Sequence, residues 1–149
     1  MGTHYKGNKE EVRALNAFIA LMRASESLNS RLYMTLKKSH LSISQFGALE
    51  ALYHLGPMCQ STLGKKLLKS GGNITMVIDN LEKRKLVKRE RDTNDRRFIS
   101  VHLTDEGKNL IKKVFPEHAN NIVNEMSVLS KEEQNKLIEF CKKIGLQEK

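Results

Sequence analysis

The sequence of 149 residues has no tryptophan, only two cysteines and two prolines, and few aromatic side chains. A core built from it must therefore consist mainly of Leu, Ile, Val and Met. No apolar run approaches the roughly 20 residues that a membrane-spanning helix needs. The first eight residues contain no apolar stretch of the signal-peptide type. These absences predict a soluble cytoplasmic protein without a membrane partner.

The motifs of common enzyme classes are also missing. There is no glycine-rich phosphate loop after a strand, no pair of histidines at metal-ligand spacing and no serine nucleophile elbow. Cys59 and Cys141 lie far apart and form no metal or redox motif, so we expect two reduced thiols. We predict that the protein is not an enzyme and uses no cofactor and no metal.

Positive charge is abundant and unevenly distributed. The net charge is +9, and residues 60–113 contain 14 Lys and Arg against 7 Asp and Glu. Residues 1–59 carry a net charge of +3, and residues 114–149 carry −1. A basic segment between nearly neutral flanks is typical of a phosphate-binding surface, although a solvated lysine-rich surface without a partner has the same composition.

The spacing of apolar residues predicts a mainly α-helical chain. Apolar side chains three or four positions apart indicate helices, and Gly and Pro mark their ends. A first helix longer than a small domain needs suggests that part of its apolar surface meets a partner chain. The first two predicted helices are a long helix from Lys9 and a second helix capped by Ser44 and ended by Gly56-Pro57. A third helix is predicted from about Gln60 to Leu68, followed by a turn at Ser70-Gly71-Gly72 and a fourth helix from about Asn73 to Lys85.

The period then changes from helical to alternating. Residues 86–91 and 98–103 are predicted to be strands, and the Asp92–Asp95 segment between them has strong turn residues. Thr104 is predicted to cap a fifth helix, and Ser130 a sixth that ends at Gly145. The predicted fold is mainly α with a small β-hairpin wing, a winged helix-turn-helix between N- and C-terminal helices.

This order of elements favours DNA binding. The second helix of a helix-turn-helix presents small and amide side chains to base edges, and the preceding helix start offers N–H and hydroxyl groups to phosphates. A basic hairpin tip can reach the minor groove, whose negative potential attracts arginine. The candidate contacts to double-stranded DNA are Gln60, Ser61, Thr62, Gly72, Asn73, Thr75, Met76, Asn80, Lys88, Arg91, Asp95, Arg96 and Arg97.

Two stretches carry a family resemblance. Residues 95–107, which read Asp-Arg-Arg-Phe-Ile-Ser-Val-His-Leu-Thr-Asp-Glu-Gly, resemble the wing signature of regulators of the multiple-antibiotic-resistance regulator (MarR) type. Residues 73–87 resemble the recognition helix and first wing strand of that family, and the flanking helices match its order. The resemblance therefore extends over nearly the whole chain.

The resemblance implies a single MarR-type chain over residues 1–149 that forms a homodimer. Dimerisation helices would span residues 9–40 and 105–146, and the DNA-binding lobe residues 43–103. Each subunit would bind half of a pseudo-palindromic operator, with Arg97 in the minor groove and Asp95 bracing the wing. Members of the family are often repressors that a small phenolic ligand or thiol oxidation releases from DNA.

The resemblance also implies an effector pocket between the dimer helices and the DNA-binding lobe. The third helix of the family usually opens with Thr or Ser, where this chain has Cys59, so a redox switch at this thiol is an alternative mode of regulation. The other alternative is a winged helix used as a protein-interaction module. The candidate residues for binding a small aromatic effector are Met22, His40, Phe46, Tyr53, His54 and Phe115.

Overall fold

The computed structural model describes residues 2–67 and 71–147, and within them only the backbone of residues 71 and 72. The predicted fold class is confirmed: the described residues form helices around a small antiparallel sheet. In chain order the elements are α1 (Lys9–Leu36), a 3-10 turn (Lys37–Ser39), α2 (Ile43–Leu55), β1 (Met58–Cys59), α3 (Gln60–Lys66), α4 (Gly71–Lys83), β2 (Val87–Arg91), β3 (Ile99–Leu103), α5 (Asp105–Met126) and α6 (Lys131–Gly145). None of these helices combines the length and the hydropathy that spanning a membrane requires.

The core lies among α2, α3, α4 and the sheet, and against α5. Leu49 of α2, Leu63 of α3, Ile78 and Leu81 of α4 and Ile111 of α5 are each fully buried. Val87 and Val101 of the sheet close the same cluster. The apolar positions that predicted these helices are therefore the positions that pack α2, α3 and α4 together, which fixes the helix-turn-helix relative to the wing.

Side-chain caps fix most of the helix starts. Asn8 caps α1 and Ser42 caps α2, and each forms a reciprocal capping box with the residue three positions on. The cap of α2 is thus Ser42, and the prediction of Ser44 was wrong by two residues. Thr104 caps α5 as predicted, because its hydroxyl accepts the N–H of Gly107.

The turn predicted at Ser70-Gly71-Gly72 is only partly testable. Ser70 and Leu68, the predicted end of the third helix, lie outside the described residues. Gly71 and Gly72 begin α4, so the fourth helix starts two residues earlier than predicted and ends at Lys83, two residues earlier than Lys85. Lys85 has a positive φ of 60°, which is incompatible with continuing the helix.

The sheet contains one strand more than the predicted hairpin. β2 and β3 pair in antiparallel register with Arg89 opposite Val101, and the short strand β1 pairs with the other edge of β3. The resulting order is β1-β3-β2. Through β1, the start of α3 is joined directly to the wing.

Close packing joins the end of the wing to α5. The Thr104 hydroxyl donates to the carbonyl of Lys85 at 2.6 Å, and the Thr104 N–H donates to the carbonyl of Leu86 at 3.1 Å. A Cβ at position 107 would overlap the Leu86 carbonyl oxygen, so only glycine fits there. The Leu-Thr-x-x-Gly part of the wing signature therefore has a structural role at this junction.

The start of α3 lacks a side-chain cap, and this leads to a stability prediction. Cys59 occupies the N-cap position of α3, and its side chain accepts no hydrogen bond from the helix start. A Cys59→Thr substitution supplies a hydroxyl acceptor and should raise the free energy of unfolding by about 1 kcal/mol. Urea unfolding followed by circular dichroism measures the change. A Cys59→Ala variant is the control without an acceptor and should show no gain; an equal gain in both would contradict the capping explanation.

Candidate nucleic-acid interface

The predicted base-contacting residues lie on the outer side of α4. Asn73, Thr75, Met76 and Asn80 are exposed, and the side chain of Met76 has 63% of its surface accessible. Gly72 lies in the first turn of the same helix. The opposite side of α4 buries Ile74, Ile78 and Leu81, so the amphipathic pattern that packs the helix also exposes its polar side chains.

The start of α3 lies beside α4. Ser61 and Thr62 are exposed in the first turn of α3, where backbone N–H groups have no partner within the helix. Gln60, however, is half-buried: its amide donates to the Thr75 hydroxyl at 2.7 Å and accepts from Arg89 Nη2 at 3.1 Å. The structure therefore brings Gln60 and Thr75 together, and Gln60 is held by protein contacts.

A groove that the sequence did not predict runs between α2 and α4. The first turn of α2 forms one wall and the outer side of α4 the other. No motif in the sequence indicated that the N-terminus of α2 would lie there, because this depends on how the two helices cross. The lining residues are Ser42, Ser44, Gln45, Asn73, Met76, Val77 and Asn80.

The wing tip is shaped by two aspartates. The Asp92 carboxylate accepts the N–H groups of Asn94 and Asp95, which closes the turn as predicted. The Asp95 carboxylate accepts side-chain hydrogen bonds from Arg97 Nε, at 3.0 and 3.3 Å to its two oxygens, and from Nη2 at 2.8 Å. The Arg97 side chain is nevertheless 86% exposed, so its guanidinium is oriented by Asp95 and still open to solvent.

Electrostatics at the wing tip follow from this pair. The hydrogen bonds from Arg97 lower the pKa of the Asp95 carboxyl, and the same contact raises the pKa of Arg97. Both groups are therefore charged at neutral pH. The fork-shaped contact limits the rotamers of Arg97, so the chain presents a preoriented cation at the end of the hairpin.

The other predicted wing contacts differ in their surroundings. Arg96 is exposed, and its carbonyl oxygen accepts a hydrogen bond from Arg91 Nη1 at 2.8 Å. Lys88 is exposed but forms an ion pair with Glu90, with 2.7 Å between Nζ and Oε1. Arg91 therefore braces the tip of the wing, and part of the positive field of Lys88 is offset locally.

The six candidate effector residues are not all together. Phe46, Tyr53, His54 and Phe115 form a cluster between α2 and α5, with ring centroids 4.8 Å apart for His54 and Phe115. Met22 lies elsewhere, in an open cleft of about 460 Å³ along α1. His40 is exposed after the 3-10 turn, with a left-handed backbone.

A residue that the sequence analysis missed completes the aromatic cluster. The His118 ring lies 4.2 Å from Phe46 between ring centroids, and burial lowers the pKa of His118. Its Nδ1 atom and the Nδ2 atom of Asn121 are buried without a hydrogen-bond partner. The two residues follow Pro116 on α5 in a mostly polar stretch of the sequence, which gave no periodic signal for them.

The thiol of Cys59 lies at the start of α3, next to the exposed residues Ser61 and Thr62. Its Sγ atom is 3.1 Å from the Thr62 hydroxyl, and this hydroxyl and the nearby backbone N–H dipoles of the first turn of α3 favour the thiolate, which lowers the pKa of Cys59. Cys141 lies on α6, so the two thiols are on different elements and both are free. Within residues 2–67 and 71–147, no group of three or more His, Cys, Asp or Glu is arranged to hold a metal ion.

Two helices have large apolar faces that the chain does not cover. Only Leu36 is buried among the 28 residues of α1, and no residue of α6 is buried. An arginine fork from Arg31 to Glu125 ties α1 to α5 at 2.7 Å. The apolar faces of α1 and α6 border a cleft of about 290 Å³, lined by Ala14, Ala17, Phe18, Leu21, Leu137, Phe140, Cys141 and Ile144.

The described elements define a class of protein. Helix α4, whose outer side is polar and exposed, follows α3 in a helix-turn-helix. An antiparallel hairpin with an arginine at its tip lies beside these two helices. This arrangement is a winged helix-turn-helix, whose second helix fits the major groove of DNA.

Comparison with known proteins identifies the family. The MarR family model matches residues 41–99. The uncharacterized HTH-type transcriptional regulator YkoM of Bacillus subtilis is 39% identical over 140 residues, with 93% of this chain and 91% of YkoM covered. The HTH-type transcriptional regulator MhqR of the same organism is 37% identical, with 92% and 94% covered. The chain belongs to the MarR family of DNA-binding transcriptional regulators.

Solved structures share this fold. The DNA complex of Sco3205, a MarR family regulator from Streptomyces coelicolor, superimposes with a TM-score of 0.85 at 22% identity, covering 99% of this chain and 94% of that one. BpsR of Bordetella bronchiseptica, solved in a study of how 6-hydroxynicotinic acid regulates its DNA binding, has a TM-score of 0.79 at 25% identity. That match covers 87% of this chain and 98% of BpsR.

Proposed function

We propose that this protein is a homodimeric repressor that binds a pseudo-palindromic operator and is released by a small aromatic effector. The observation that carries the proposal is the placement of the exposed polar side of α4 beside the preoriented cation of Arg97. In this proposal α4 enters the major groove, and the wing reaches the adjacent minor groove. The proposed DNA contacts are the residues predicted from the sequence except Gln60, which holds Thr75 instead of binding phosphate.

The homodimer is supported by the uncovered apolar faces of α1 and α6. Phe18, Phe140 and Ile144 are each more than half exposed in the single chain. Large contiguous apolar surfaces of this kind mark interaction sites, and a twofold axis lets the same surface serve both partners. The proposed dimerisation helices are residues 9–40 and 105–146, and the proposed DNA-binding lobe is residues 43–103.

Salt dependence tests whether the interface binds phosphates. Fluorescence anisotropy of a labelled 30-base-pair duplex is measured at several potassium chloride concentrations. Binding through the basic surface should weaken with a log–log slope of about −0.9 for each phosphate contacted. A slope near zero in the folded dimer would contradict the DNA-binding function and favour the protein-interaction module.

The effector proposal rests on the aromatic cluster between α2 and α5. Phe46, His54, Phe115 and His118 supply stacking faces, and the buried Nδ1 of His118 lacks a partner. The cluster joins the DNA-binding lobe to α5. A ligand bound there can therefore alter the distance between the DNA-binding lobe and α5. The DNA binding of the similar protein BpsR is regulated by an aromatic acid. Titration of the protein–DNA complex with phenols, quinones and aromatic acids tests this; no release by any of them would contradict it.

Oxidation of Cys59 is a second candidate mode of release, favoured by the lowered pKa of this thiol. Thiolates react with peroxide faster than thiols do, and a sulfenic acid would disturb the Thr62 contact at the start of α3. This candidate predicts that hydrogen peroxide weakens DNA binding of the wild type and of Cys141→Ser but not of Cys59→Ser. Dithiothreitol should restore binding. Equal sensitivity of both variants, or none in the wild type, would contradict it.

A further inference from the structure

Arg89 of strand β2 is bound on several sides by the helix-turn-helix. Its guanidinium contacts Asp79 Oδ1 at 2.7 Å and Glu82 Oε1 at 3.0 Å, both on α4. Its backbone N–H also donates to the Glu82 carboxylate at 3.0 Å. The side chain is only 23% exposed, in contrast to the 86% of Arg97.

The same guanidinium extends the network to α3. Arg89 Nη2 donates to Gln60 Oε1 at 3.1 Å, and Gln60 in turn donates to the Thr75 hydroxyl on the outer side of α4. The planar fork of arginine is suited to holding several acceptors in fixed directions. One side chain of the wing therefore joins both helices of the helix-turn-helix.

The charge balance of this cluster argues against a direct role in binding phosphate. One arginine is surrounded by two carboxylates, so the cluster carries a net negative charge. Carboxylates beside a DNA-binding surface repel phosphates. The presence of Asp79 and Glu82 on α4, the proposed recognition helix, needs another explanation, and their contacts to Arg89 supply one.

We propose that Arg89 is a positioning residue that fixes the wing relative to the recognition helix through Asp79, Glu82 and Gln60. A lobe that must place α4 in the major groove and Arg97 in the neighbouring minor groove gains affinity when this geometry is set before binding. The inference rests on the proposed DNA-binding function and adds a residue that acts through others.

The sign of the effect of Glu82→Gln separates positioning from electrostatics. If the only effect of Glu82 is to repel DNA phosphates, removing its negative charge should strengthen DNA binding. The test uses an operator duplex that is first identified by selecting bound sites from a random pool with the wild type. If Glu82 holds Arg89, the same change should weaken binding to this selected duplex by roughly 10-fold. Glu106→Gln, an exposed residue in the first turn of α5, is the matched control, and it should leave binding unchanged or slightly stronger.

Arg89→Lys supplies a second variant that keeps the charge. It should weaken binding to the selected duplex with an unchanged salt slope, and weaken binding to an unrelated duplex of equal length much less. A phosphate-binding arginine would instead tolerate lysine, and Arg89→Gln would then reduce the slope by about 0.9 per subunit. Thermal unfolding shows at which temperature all variants are folded, so that a loss of stability alone is not read as a loss of positioning.

The outcomes separate this inference from the proposed function. Weaker binding by both Glu82→Gln and Arg89→Lys at constant salt slope supports the positioning role. Stronger or unchanged binding by Glu82→Gln overturns it while the wild type still binds. If selection with the wild type recovers no common duplex, the proposed function itself is overturned, and the inference with it.

Discussion

Phe18→Glu should convert the proposed homodimer into monomers and abolish tight binding to the proposed operator. Phe18 is 60% exposed in the single chain and lines the apolar cleft between α1 and α6. An unpaired carboxylate buried in that interface costs several kcal/mol, so the dimer dissociation constant should rise by roughly 100-fold or more. Because a monomer contacts only one half-site, operator affinity should fall with it. Sedimentation velocity and anisotropy measure the two effects.

Ala20→Glu is the matched control for this substitution. Ala20 is exposed on α1 and lies two residues from Phe18, which places it about 200° around the helix from that side chain. The Ala20→Glu substitution introduces the same charge into the same helix and should leave the proposed dimer intact. A Phe18→Glu protein that remains dimeric and binds DNA normally would show that α1 and α6 do not form the dimer interface.

Arg97→Ala should cost about 1–3 kcal/mol of operator affinity, which is roughly 5- to 150-fold in the dissociation constant. Arg97 ends the wing as an exposed cation that Asp95 orients, so its loss removes a contact whose geometry is already set. The fold should not change, because the side chain is 86% exposed. Anisotropy titrations and circular dichroism measure affinity and folding in parallel.

Lys143→Ala is the charge-matched control for the wing. Lys143 is exposed on α6, far along the chain from the winged helix. Removing one positive charge there should change operator affinity much less than removing Arg97. Equal losses from both substitutions would indicate a general charge effect, and an unchanged affinity of Arg97→Ala would contradict the role of the wing.

The order of the elements was predictable because local signals agree with tertiary packing. Ile74, Ile78 and Leu81 recur at helical spacing and are the side chains that α4 buries. The side chains of Asp92 and Thr104 accept hydrogen bonds from N–H groups two or three residues further on, so the turn and the helix cap depend only on local sequence. Strand β1 was missed because two residues give no periodicity, and it exists only through pairing with the distant strand β3.

The sequence predicted site residues only where the role of a side chain depends on its exposure and not on contacts with distant parts of the chain. Met76 and Arg97 are exposed at the places where a recognition helix and a wing tip were expected. Gln60 was predicted as a DNA contact, and its hydrogen bonds to Thr75 and Arg89 were not predictable because these partners lie 15 and 29 residues away in the sequence. His118 was missed for the same reason, since its contact with Phe46 depends on how α5 crosses α2.

Selection of bound sites from a random duplex pool, at physiological salt, tests whether the protein binds a specific operator. We expect an inverted repeat whose half-sites lie about one helical turn apart, because two α4 helices in a twofold dimer must enter successive major grooves. Recovery of no common motif by folded, dimeric protein, both alone and with Cys59 reduced, would contradict sequence-specific operator binding. The winged helix would then serve as a protein-interaction module.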